Sequence, residues 1–159
     1  MKRIILLSLI ALVSITACKK KKKETIKKTV SQIVIDRGTW LTVNETIQYY
    51  DVNNNVLSTE TVQSGPTYHF SRTSDTVRLT ENGKNTLKRY HFSHTNNKEY
   101  VSITNSDGND LKLFEVLSAD PKIMQWQKIE NNITFTLNGQ QQTAAKKVTT
   151  INFHCPCQD

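Results

Sequence analysis

The chain has 159 residues, 36% of them hydrophobic and 8% aromatic, and carries 21 Lys and Arg against 14 Asp and Glu, a formal charge of +7. The charge is uneven: residues 18–29 hold seven lysines against Glu24, whereas residues 30–159 hold 12 basic and 13 acidic side chains, a net −1. A nearly neutral body of about 130 residues excludes a basic nucleic-acid-binding domain and has room for one real core but not two.

The first element in chain order is a leader. Lys2 and Arg3 precede an apolar run from Ile4 to Val13, and Ile15-Thr16-Ala17 leads into Cys18. The run is too short to span a bilayer and ends in small residues, so residues 1–17 are expected to be a signal peptide. The Ile-Thr-Ala-Cys ending resembles the lipobox of bacterial lipoproteins. That resemblance implies that Cys18 is lipidated on its sulfur, becomes the mature N-terminus and holds the protein permanently to a membrane. Residues 18–29 then form a tether. Its lysines either lie against anionic head groups or extend as a solvated spacer. Lys19 to Lys23 followed by Glu24 loosely resembles the charged export tags of Bacteroidota surface lipoproteins. The expected location is the outer membrane, with the choice of face left open.

From residue 30 onward the composition favours strands, with frequent Thr, Val, Ile, Tyr and Phe and no sustained 3.6-residue apolar period. Apolar alternations at a period of two fall on Leu41/Val43/Ile47/Tyr49, Val77/Leu79, Tyr90/Phe92, Val101/Ile103, Leu111/Leu113, Met124/Trp126, Ile133/Phe135/Leu137 and Ile151/Phe153. Turn signals separate them, among them Asn53-Asn54-Asn55, Ser64-Gly65-Pro66, Asn82-Gly83, Asn96-Asn97, Asn131-Asn132 and Asn138-Gly139. Short strands joined by hairpin-length turns predict an all-β fold. The expected form is an antiparallel up-and-down meander closing into a barrel of about 8–10 strands, because closure removes exposed edges.

Gly38-Thr39-Trp40 at the start of the first strand resembles the Gly-x-Trp signature of lipocalins. Tyr68-His69-Phe70, Phe114 to Ser118 and Met124-Gln125-Trp126 are similar to strands of Bacteroidota lipocalin-like lipoproteins, so the likeness covers residues 36–130. It implies that residues 30–159 form a lipocalin-like barrel with Gly38 and Trp40 closing one end. In lipocalins a late arginine packs over that tryptophan. No arginine follows Arg89, so Lys146 or Lys147 would have to take its place.

An eight-stranded barrel is just wide enough to fill with side chains or to hold one small ligand. Tyr49, Tyr68, Phe70, Tyr90, Phe92, Phe114 and Trp126 are the candidate lining for a small hydrophobic ligand, or else simply the filling. At the C-terminus, His154-Cys155-Pro156-Cys157 leaves three readings. If Cys18 carries lipid, Cys155 and Cys157 can bridge only each other, and an oxidising envelope favours that disulfide. A second reading gives the tail no special role, and in a third two thiolates and an imidazole ligate a soft metal whose fourth ligand comes from His69, His91, His94 or a second chain. His91 and His94 lie three apart on a strand and so face opposite ways. Asp51, Asn53 and Asn55 have calcium-loop spacing, but Val56 and Val62 occupy the positions that need Gly and Glu. No cofactor is expected. Without a nucleophile elbow, phosphate loop or zinc-helix motif, the expectation is a binding protein and not an enzyme. The other reading is a structural lipoprotein that docks against a larger envelope complex through its outer surface.

Overall fold

The computed structural model describes residues 28–156, so the leader, Cys18, most of the tether and Cys157 lie outside the described residues. Its first element is a helix, α1 (Val30–Arg37). Thr29 caps it through a reciprocal pair: the Thr29 hydroxyl accepts from Gln32 N–H, and Gln32 Oε1 accepts from Thr29 N–H at 2.9 Å. Gly38 ends it at φ +74°, donating its N–H to Val34 C=O. Two turns of helix are too few to show a 3.6-residue period, so strand patterning gives no sign of α1.

Nine strands follow: β1 (Thr39–Tyr50), β2 (Val56–Gln63), β3 (Thr67–Phe70), β4 (Thr76–Glu81), β5 (Lys84–Thr95), β6 (Lys98–Thr104), β7 (Lys112–Ala119), β8 (Ile123–Leu137) and β9 (Gln140–His154). Each of β3 to β8 pairs antiparallel with its successor, and β1 pairs with both β3 and β9, which closes eight strands into a barrel. β2 is the additional strand. It continues the line of β3 past Ser64–Pro66 along the same edge of β1. Three hairpins turn on two residues with positive φ, Asn82-Gly83, Asn96-Asn97 and Asn138-Gly139, as their sequence demands. Asp51 closes the β1–β2 turn itself. Hydrogen bonds from the Asn55 side chain and backbone and from Asn53 N–H hold its carboxyl below the usual range.

Two irregularities redistribute the expected faces. Leu41, Val43, Ile47 and Tyr49 do not share one side. A register shift between Thr42 and Asn44 reverses the alternation, so Trp40 and Thr42 are buried while Leu41 and Val43 are exposed. Beyond the bulge Ile47 and Tyr49 pack inward again. Asn131-Asn132 is not a turn between strands: β8 runs through it in unchanged register with β9, Asn131 opposite Lys146 and Ile133 opposite Ala144, with Asn132 itself at φ +54°. Leu111 and Leu113 are outward, 63% and 49% exposed, because the buried positions of β7 are Phe114 and Val116.

The core fills the end of the barrel where α1 packs. Trp126 is its centre, with ring centroids 4.7 Å from Phe153, 5.4 Å from Phe114, 5.5 Å from Tyr68 and 6.2 Å from Phe70. Val34 of α1 is fully buried in the same cluster, with Val30 and Ile33 packed against it. A smaller cluster of Tyr49, Phe135 and Ala144 holds the opposite end, where the Tyr49 and Phe135 rings stack at 4.0 Å.

Candidate functional site

Above the aromatic core, at the end away from α1, lies an open cavity of about 280 Å³. Its apolar part is Tyr68, Leu79, Phe114 and Ile151; its rim carries Glu45, Glu81 and Glu130 with Lys112, Lys128 and Lys147. The rim charges occupy inward positions of strands whose other inward residues are core. Lys128 and Glu130 continue Met124 and Trp126, Lys147 continues Ile151 and Phe153, and Glu81 continues Val77 and Leu79. None of these six is expected at a ligand site from the sequence, where Lys147 enters only as a possible cover for Trp40. The signal that finds them is a charge on the apolar parity of a strand near one end of the barrel.

The rim divides electrostatically. Lys128 donates to Glu130 at 2.7 Å and Lys147 approaches it at 3.4 Å, all three about a quarter exposed. Burial alone would raise the Glu130 carboxyl, but the hydrogen bond from Lys128 and the charge of Lys147 outweigh it and hold the group below its ordinary value. Across the cavity Glu45 and Glu81 have no ion-pair partner among the described residues, nor does the Tyr68 hydroxyl have a hydrogen-bond partner there. Burial, followed by those two carboxylates, pushes the Tyr68 hydroxyl well above the usual tyrosine range.

A depressed Glu130 carboxyl contributes stability above its unfolded value, near 4.5, and loses it as pH falls through the lower folded value. Glu130→Gln, which leaves two lysines facing each other, is expected to lower stability by about 1 kcal/mol at pH 7. The difference from wild type should shrink as pH falls through the lowered folded value, where the native carboxyl itself becomes neutral. Urea unfolding followed across that acid range checks this; a penalty unchanged by pH would contradict it.

Of the seven expected lining residues, Tyr68 and Phe114 border the cavity. Phe70 and Trp126 lie in the packed core below, and Tyr49 belongs to the upper cluster. Tyr90 and Phe92 are half-buried beside Phe70, with Tyr90 Oη donating to Ser71 C=O at 3.0 Å. Gly38 and Trp40 lie where α1 meets the core, and Trp40 Nε1–H donates to Val34 C=O at 3.0 Å. The cover over Trp40 is therefore α1 and not a late cation. Lys146 sits over the Tyr50 ring and Lys147 beside Glu130, both near the opposite end of β9.

Cys155 is buried and disulfide-bonded; its expected partner, Cys157, is outside the described residues. His69 shares a hydrogen bond with Thr39, and burial, then the Arg78 charge, lowers its pKa. His94 pairs with Glu99. Among the described residues no three His, Cys, Asp or Glu side chains gather as a metal site.

Together these features define a closed β-barrel compatible with a lipocalin-like ligand-binding domain. No family model matches the chain, and neither does any curated protein or solved structure.

Proposed function

We propose that this chain is a lipid-anchored envelope protein, held at the outer membrane through Cys18, whose barrel binds a small amphipathic ligand at its mouth. The observation that carries the reading is the cavity, apolar at Tyr68, Leu79, Phe114 and Ile151 and charged at its rim. At about 280 Å³ it is at the small end of ligand sites, so the hydrophobic part of the ligand is short. Glu45, Glu81 and the Tyr68 hydroxyl favour a cationic head such as an amine, because all three are unpaired among the described residues. Glu130, already tied to two lysines, is not the receptor for it. In this reading the protein binds and does not catalyse.

Native mass spectrometry of protein extracted from its own membrane tests the whole reading. The expected result is a mature chain bearing lipid on Cys18 with a small amine-bearing molecule bound. Glu45→Gln should lower its affinity about 10- to 150-fold, since losing one charge-assisted contact is worth about 1.5–3 kcal/mol. Repeated extraction of an unoccupied barrel would refute ligand binding, and recovery of an unlipidated chain would refute the anchor.

A second reading, docking against another envelope protein, draws on the outer wall. There Leu111, Leu113 and Ile129 are 63%, 49% and 53% exposed, beside Tyr100.

A further inference from the structure

The unpaired charges of the mouth lie across a diameter of the barrel. In the closed order β1-β3-β4-β5-β6-β7-β8-β9, strand β7 stands four places from β3 in either direction. β3 carries Tyr68, and its two neighbours β1 and β4 carry Glu45 and Glu81. Lys84, opposite Glu81 across the Asn82-Gly83 turn, is exposed and makes no ion pair with it. On the far wall β7 carries Lys112, which has no ion-pair partner among the described residues; the neighbouring Asp110 carboxylate is bonded instead to Lys88 at 3.1 Å.

These charges stand above an apolar floor. One inward step toward the core, Glu81 gives way to Leu79 and Lys112 to Phe114, and two steps take Lys147 through Thr149 to Ile151. Tyr68 and Thr149 line the cavity between floor and rim and are each only 6% exposed, yet neither hydroxyl has a hydrogen-bond partner among the described residues. Buried hydroxyls without partners are costly, so the cavity is suited to a ligand that brings polar groups to them.

Building on the reading of the mouth as a ligand site, we infer that its ligand is a short zwitterionic peptide. The N-terminal ammonium sits between Glu45 and Glu81, the C-terminal carboxylate meets Lys112, and an apolar side chain descends onto Leu79, Phe114 and Ile151. A free α-amino acid fits poorly, because its two charges are adjacent whereas those of the rim oppose each other across the full width of the barrel. An unbranched chain with charged ends satisfies the rim and leaves the floor empty. A dipeptide reaches both, and its amide and carbonyl groups supply partners for the Tyr68 and Thr149 hydroxyls.

Isothermal titration calorimetry of the purified full chain tests the inference, with alanyl-leucine, its C-terminal amide and hexylamine as probes. The free dipeptide is expected to bind at least about tenfold more tightly than the amide, which lacks the charge-assisted contact to Lys112. Lys112→Met, at an exposed rim position, should erase that preference and leave hexylamine binding unchanged, and Lys112→Arg should restore it. An amide bound by wild type as tightly as the free dipeptide, or a preference that survives Lys112→Met, would overturn the inference. If hexylamine binds and the dipeptide does not at millimolar concentration, the peptide inference falls alone and the amine site stands. If neither binds, the ligand-binding reading of the mouth falls with it.

Discussion

Trp126→Ala is expected to destabilise the barrel by about 3–5 kcal/mol, the largest effect of any single truncation in the core. The ring is fully buried and contacts Tyr68, Phe70, Phe114 and Phe153, which are anchored on three different strands and cannot all collapse into the space it leaves. Trp126→Phe should cost far less, about 1 kcal/mol. The Trp126 Nε1–H is buried with no hydrogen-bond partner among the described residues, so removing it relieves a desolvated donor and offsets part of the lost packing. Urea unfolding of both variants reads the contrast. Equal losses for alanine and phenylalanine would show that the donor is satisfied and that shape alone holds the core.

Val34→Asp should have the second largest effect. At eight residues α1 is too short to persist alone in water and depends on its contacts with the barrel. Val34 is its fully buried residue and its carbonyl receives the Trp40 indole N–H. Val34→Ala is expected to lose about 2 kcal/mol of burial energy. Val34→Asp would place a carboxylate against Trp40 with no cation to meet it, so α1 should leave its seat and uncover that end of the core, for a loss of about 3–5 kcal/mol. Denaturation gives the magnitude, and hydrogen exchange over residues 30–37 shows whether the helix has undocked. An aspartate variant as stable as the alanine one, with freely exchanging amides in α1, would mean that the helix is dispensable to the closure of the barrel.

Much of the fold was legible because its causes are local. Tyr90/Phe92, Val101/Ile103 and Met124/Trp126 alternate at the strand period, and Asn82-Gly83 and Asn138-Gly139 dictate tight hairpins whatever surrounds them. The error of face on β1 has a local cause. A bulge is one residue long and leaves no compositional trace, yet it exchanges inside for outside along the rest of a strand. Leu41 and Val43 point outward for that reason, and Asn131-Asn132 looks like a turn in sequence although Asn132, at φ +54°, sits inside the continuous strand β8. The mouth was harder still. Glu45, Glu81 and Glu130 look like ordinary solvated charges in sequence and become a site only because β1, β4 and β8 bring them to one opening of the barrel.

The sequence by itself determined an all-β body with an up-and-down order of strands, a charge confined to residues before 30, and the expectation of a lipidated Cys18. Alternation, turn residues and a charge run act over a few positions, so a linear reading captures them. The tertiary structure alone decided that β1 pairs with β9, where the Asn152 side chain donates to Asn44 at 2.7 Å from 108 residues away. It also decided that α1 and not a cation covers Trp40, that the aromatics fill one end while paired and unpaired charges ring the other, and that β2 is left with an open edge. Those outcomes depend on register and on where distant strands stop, and such quantities are fixed only when the whole sheet closes.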